Sequence, residues 1–175
     1  MNHNKNTEFV MYVDNFLSQE TLESLQETFL KIKYTEVKNP EGQIYGRRHT
    51  FPHSFHSDPL LNLIKNYFFP NRDLEPISVS AHIRINKEPL FHVDVDKGNV
   101  ANLLLFVKGE PLLNNGTGFM RKDQLSSHIG FVENRALFFN GSIIPHSDLQ
   151  SFGESSERYT LNIFYKEAEK KDGKL

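Results

Sequence analysis

Apolar residues along this chain keep a helical spacing up to about residue 69 and switch to a two-residue alternation from about residue 77 onward. Phe9 to Val13 is a short apolar run suited to a first strand. Ser18 then has the chemistry of a helix N-cap, and Leu22, Leu25, Phe29 and Ile32 follow at helical spacing. A second helix is expected from about Asp58 to Phe69, with Leu60, Leu61, Ile64, Tyr67 and Phe68 as its apolar face and Pro70 as its stop. The intervening stretch from Lys38 to Ser57, rich in Gly, Pro, Arg and His, reads as a long loop or an irregular hairpin.

The second half reads as closely spaced strands: Ile77 to Ile85, Leu90 to Val95, Ala101 to Val107, His128 to Phe131, Ala136 to Phe139 and Arg158 to Tyr165. Turn residues separate them at Asn86-Lys87, Lys97-Gly98-Asn99, Asn114-Asn115-Gly116, Asn140-Gly141 and Gly153-Glu154. Two helices followed by such a run predict a mainly β (α+β) domain, a helix-buttressed sandwich or jelly roll. There is no internal repeat. One domain over residues 1–168 is expected, followed by a charged, disordered tail over 169–175.

Composition narrows the chemistry. The 175 residues suffice for one domain with a substantial core, and 15 phenylalanines with no tryptophan point to aromatic packing in the β-rich half. A formal charge of -2 argues against a broad nucleic-acid surface. The absence of cysteine removes disulfides and thiolate metal sites, so any metal here is held by His, Asp or Glu. No segment is apolar enough to cross a membrane, and Met1 to Asn6 lacks the pattern of a signal peptide, so a cytoplasmic location is expected.

His92 and Asp94, two apart on an expected strand, project from one face and can reach the same ion. Asp96 shares that face but lies roughly 13 Å from His92 along an extended strand, too far for the same metal. Taken alone, His-x-Asp is weak: with eight histidines and eight aspartates, roughly one such chain in three shows it by chance. A third ligand must come from elsewhere, and His146 follows a strong strand and a turn. Arg158, Thr160 and Asn162 alternate with Tyr159, Leu161 and Ile163 twelve residues further on. If His146 ends one strand and Arg158 starts the next, both side chains approach one cavity. A guanidinium there can grip a carboxylate through two parallel hydrogen bonds.

The ordered set of segments resembles the Fe(II)- and 2-oxoglutarate-dependent dioxygenases, most closely the prolyl-hydroxylase-like branch, over roughly Val79 to Tyr165. Phe91-His92-Val93-Asp94 is similar to the family's His-x-Asp strand, and Val100 to Phe106 to the apolar strand after it. Asn134 to Phe139 resembles the segment before the distal histidine, and Arg158 to Tyr165 the co-substrate strand. Val13 to Ser18 is similar to the usual approach to the first helix. The resemblance implies a double-stranded β-helix with His92, Asp94 and His146 as ligands of Fe(II). It further implies Arg158 as the partner of the distal carboxylate of 2-oxoglutarate, with Asn102 and Asn162 lining that pocket. O2 is the other co-substrate, and the implied reaction hydroxylates a C–H bond while 2-oxoglutarate is decarboxylated to succinate and CO2. Two departures stand out. Ile85 lies where many relatives carry a tyrosine, and the family's Gly-Gly motif has only a loose counterpart in Gly116-Thr117-Gly118-Phe119.

Substrate-contacting candidates are His82 and Arg84, on a strand beside the site, and Arg47 and Arg48 in the preceding loop. His49, His53 and His56 form a histidine cluster best explained by loop polarity, while His3 and His128 read as structural or exposed. A small molecule or a peptide side chain is the expected substrate. The alternative is a non-catalytic jelly-roll metal-binding or sensor protein. A cupin is disfavoured because no His-x-His with a nearby Glu is present.

Overall fold

The computed structural model describes residues 8–38, 41–54, 59–85, 91–94, 98–112, 115–148 and 156–168. His3, His56, Asp58, Asp96, the 169–175 tail and the expected turns at Asn86-Lys87 and Gly153-Glu154 lie outside them. Along the chain come β1 (Val10–Val13), α1 (Gln19–Lys31), β2 (Thr35–Lys38), β3 (Ile44–Thr50), α2 (Pro59–Phe68) and β4 (Leu74–Arg84). The second half holds β5 (Ala101–Lys108), β6 (Thr117–Arg121), β7 (Gln124–Ile129), β8 (Ala136–Phe139), β9 (His146–Asp148) and β10 (Arg158–Glu167). Seven strands form one sheet in the order β1-β8-β5-β10-β4-β3-β2, and three form a second in the order β7-β6-β9. Every pairing is antiparallel. The architecture is the mainly β jelly roll that the strand spacing predicts.

The helices form where capping and periodicity dictate. Ser18 Oγ accepts from the Thr21 N–H at 3.2 Å, satisfying one donor of the first turn, and Leu22, Leu25 and Phe29 bury the apolar stripe of α1. Asn134 locks the approach to this helix onto the lead-in to β8. Its Oδ1 accepts from Leu17 N and its Nδ2 donates to Leu17 O, both at 2.8 Å, with the Asn134 backbone at a φ of 63°. Helix α2 opens on Pro59, whose missing N–H costs nothing in a first turn. It buries Leu61 and Ile64, whereas Tyr67, expected on the apolar face, is 59% exposed and only edges against Phe16.

Alternation along the central strands splits the large sheet into two faces of opposite character. Leu103, Leu105, Val107, Phe138, Leu161, Ile163, Val79 and Ala81 pack against the helices. On the opposite face, Leu104, Phe106, Leu137 and Phe139 meet Phe119, Phe131 and Ile144 from the small-sheet side. Beside this second cluster the inner face turns polar, in aligned rungs. Thr50, Ser80 and Asn162 stand opposite one another, as do Arg48, His82 and Thr160, and then Gly46, Arg84 and Arg158. Directly opposed residues share a face. The polar stripe Arg158-Thr160-Asn162 therefore points between the sheets, and Arg158 and Thr160 are 5% and 3% exposed.

Several boundaries differ from the sequence reading. Of the stretch from Lys38 to Ser57, expected as a long loop or an irregular hairpin, the described residues up to Thr50 belong to the hairpin of β2 and β3, which begins three residues earlier, at Thr35. The strand expected at Leu90 to Val95 reduces, among the described residues, to one bridge. His92 N donates to His146 O at 3.2 Å and His146 N to His92 O at 3.0 Å. Phe91 and Val93 are only partly buried and belong to neither apolar cluster. Finally, β6 pairs with β7 across a two-residue turn in which Lys122 and Asp123 have φ of 51° and 58°, as in a type I′ hairpin. Glycines at 116 and 118 hide the strand character of β6, and the turn lacks the usual Asn-Gly or Asp-Gly.

Candidate metal and co-substrate site

The small sheet and the segment bridged to it bring His92, Asp94 and His146 together. Their ligand atoms all lie within 4.8 Å of one another, the only such group of three among the described residues. His146 Nε2 is 3.2 Å from Asp94 Oδ2, and His92 Nε2 is 3.7 Å from Asp94 Oδ1. His146 begins β9 rather than ending a strand. Its Nδ1 is 3.0 Å from Ile144 O, which can only accept. The proton therefore belongs on Nδ1, and the Nε2 lone pair is turned toward the other two groups. Phe139 meets the His146 ring edge-on at 4.6 Å. His146 and Asp94 are well buried, while the His92 side chain is 49% exposed and forms the open side.

Asp94 is held from behind. Its N–H donates to Gly141 O at 2.8 Å, and Asn102 Nδ2 donates to its Oδ2. Asn102 is itself fixed by Asn99, whose Nδ2 donates to Asn102 Oδ1 at 2.7 Å. A Cβ at Gly141 would lie 2.3 Å from Asn102 Nδ2, so this glycine is what lets the backbone close over the amide. Burial pushes the Asp94 carboxyl up, but His146, His92 and Asn102 together outweigh it and hold it below its ordinary value. Asn102, expected from the resemblance in the co-substrate pocket, is thus found supporting Asp94. In the sequence Asn99 and Gly141 read only as turn residues.

Arg158 reaches the same inner face from the start of β10. Its Nη1 donates to Asn115 O and, at 2.7 Å, to Gly116 O. Its Nη2 pairs with Asp148 Oδ1, and Asp148 Oδ2 lies 2.6 Å from Arg84 Nε. Asp148 is a residue the sequence reading missed. The available signal was its spacing, two residues after His146 and so on the same face of β9. Burial pushes its carboxyl up, but Arg158 and then Arg84 pull it below the usual carboxylate range. Arg158 Nε, Thr117 Oγ1 and Asn162 Oδ1 are buried without a protein partner. Such orphaned polar atoms are expected where a ligand or water completes the bonding.

Among the remaining candidates, His82 and Arg48 share this face with Arg158, whereas Arg47 lies on the other face, beside Tyr159. Burial, then Arg84 and Arg48, lower the His82 imidazole to about 3, so it is neutral at physiological pH. Its Nε2 is 3.0 Å from Ser80 Oγ. His49 aligns with Ala81 on the helix-facing side, where Nδ1 lies 2.9 Å from Lys33 O. His53 is exposed on a short turn, and His128 lies over Gly116, within 2.3 Å of where a Cβ would stand.

No protein-family profile matches the chain, and no curated sequence is similar to it. Solved structures do match. The non-heme alpha-ketoglutarate-dependent epimerase SnoN from nogalamycin biosynthesis aligns with a TM-score of 0.68 at 10% identity, over 92% of this chain and 77% of that one. A Pseudomonas putida prolyl-4-hydroxylase aligns with a TM-score of 0.62 at 13% identity, over 93% and 95%. The viral collagen prolyl hydroxylase of Paramecium bursaria Chlorella virus-1, solved as its 2-oxoglutarate complex, aligns at 0.61 with 17% identity, over 91% and 97%. The fold of this chain is that of the 2-oxoglutarate- and Fe(II)-dependent oxygenases, prolyl hydroxylases among them, as the resemblance implied.

Proposed function

We propose that the chain is a Fe(II)- and 2-oxoglutarate-dependent dioxygenase that hydroxylates a C–H bond of a small molecule or a protein side chain, converting 2-oxoglutarate to succinate and CO2. One observation carries this reading: a His-Asp-His group lies close to a buried arginine, since Arg158 pairs with Asp148, two residues after His146 on β9. His146 and Asp148 are separated by roughly 7 Å of strand. 2-Oxoglutarate spans four carbon–carbon bonds of about 1.5 Å each, so with its keto-acid end near His146 its distal carboxylate would come within reach of Arg158, the partner of Asp148.

The donor set fits the metal. Two imidazoles and one carboxylate are a donor set suited to Fe(II), which His92, Asp94 and His146 would hold. Bound iron supplies the oxygen activation and C–H cleavage that no side chain provides. The chain's own residues set the conditions for it. Asp94 stays ionised, the Ile144 carbonyl fixes the His146 tautomer, and Asn102 prevents the carboxylate from rotating. Phe139 and Phe119 line the inner side and keep water away from His146, so the half-exposed edge at His92 is where a substrate enters. A charge of -2 favours a small molecule or a peptide over nucleic acid.

The Asp148–Arg158 ion pair is the one observation that favours the alternative, a jelly-roll protein that binds metal without turnover, because it already supplies the anchor with a carboxylate. Aerobic incubation with Fe(II), 2-oxoglutarate and panels of small molecules and peptides, read as succinate release, separates the two. Turnover that disappears in His92→Ala supports the oxygenase. Identical succinate yields from both proteins would remove the triad from the reaction.

A further inference from the structure

The anchor on this chain is a three-member charge cluster rather than a lone arginine. Arg84 and Arg158 stand directly opposite on β4 and β10, and the two oxygens of Asp148 are divided between them. Arg158 and Asp148 are buried and Arg84 is partly buried: their side chains are 6%, 10% and 25% exposed. Among the described residues, two guanidinium cations against one carboxylate leave one surplus positive charge in a partly desolvated space. Such a surplus is costly unless an anion joins it. Among the described residues no second carboxylate joins the cluster: His82 is neutral, Arg48 on the adjacent strand is exposed to solvent, and Arg84 rests on the Tyr45 ring at 4.8 Å. Arg158 Nε, buried with no acceptor, marks where donor capacity remains.

We propose that Arg84 is the second cation of the carboxylate anchor, and that Asp148 is an internal counter-ion cancelling one of the two guanidiniums, so that the site accepts one ligand carboxylate. This inference rests on the proposed oxygenase reading and extends it to co-substrate selection. It also resolves the apparent obstacle of Asp148, because the internal pair engages only part of the available cation.

The test is calorimetric binding of 2-oxoglutarate to the Mn(II)-loaded protein in the absence of O2, with 2-oxopentanoate as a ligand of equal carbon count lacking the distal carboxylate. A charge-assisted contact is worth about 1.5–3 kcal/mol, so Arg84→Met should weaken 2-oxoglutarate binding about 10- to 100-fold and leave 2-oxopentanoate unchanged. Asp148→Asn should tighten 2-oxoglutarate binding, and the Arg84→Met/Asp148→Asn double variant, with the charge count restored, should return toward the wild-type value. Arg84→Gln, nearer in polarity, covers the case in which the methionine variant melts early. Unaltered 2-oxoglutarate affinity in folded Arg84→Met or Arg84→Gln overturns the role of Arg84. A loss of affinity in folded Asp148→Asn overturns the counter-ion role. Wild-type protein that binds Mn(II) but not 2-oxoglutarate overturns the oxygenase reading itself, a result distinct from either.

Discussion

Asn102 shows how a single side chain acts on chemistry it does not touch. It joins Asn99 to Asp94 in a line of donors and acceptors, and Gly141 is the residue that leaves it room. Partners of this kind commonly change metal affinity by 10–100-fold. Asn102→Ala should therefore weaken Mn(II) or Fe(II) binding by about that factor while melting close to the wild type, as read by metal titration and thermal unfolding. Undiminished affinity would show that Asp94 needs no support. At Arg158 the geometry separates charge from shape, because its donors are distributed over Asn115 O, Gly116 O and Asp148. Arg158→Ala should raise the 2-oxoglutarate requirement far more than the iron requirement, and Arg158→Lys should rescue only part of that loss, since an ammonium lacks the planar fork. Full rescue by lysine in a co-substrate titration would mean that only the charge matters.

Elements carry the site by alternation. On β10 the odd positions Leu161, Ile163 and Tyr165 pack on the helices and the even positions Arg158, Thr160 and Asn162 face the second sheet. That division was legible in the sequence because alternation along β10 specifies both strand and face, the helices because of their spacing, and β5 and β8 because continuous apolar runs bounded by turn residues mark buried strands. The same reasoning brought His92 and Asp94 to one side, although the expected strand there is only a bridge held by two backbone hydrogen bonds. Asp148 was not legible as the partner of Arg84 and Arg158: they come from two other strands, and their distance from it along the chain carries no signal. The middle rung supplies a pH prediction. In the folded protein His82 titrates near 3, while an unfolded histidine titrates near 6.5. As pH falls through 6.5 the unfolded chain takes up a proton that the folded chain refuses, so the stability present above that pH is lost progressively toward pH 3. The melting temperature should drop over this window, and His82→Gln should flatten part of the slope. An equally steep decline in the variant would place the proton uptake elsewhere.

At the scale of the whole molecule, a two-faced sheet backed by helices leaves one polar stripe enclosed between the layers, and the His92-Asp94-His146 group and Arg158 sit at its end. A jelly roll by itself hosts many functions, so the case for an oxygenase depends on what that stripe binds. The direct measurement is anaerobic addition of 2-oxoglutarate to the Fe(II)-loaded protein, followed in the visible range. Bidentate binding of the keto acid beside His92, Asp94 and His146 predicts a weak charge-transfer band that saturates at one equivalent and is absent in His92→Ala. A featureless spectrum from protein with iron demonstrably bound would contradict the assignment.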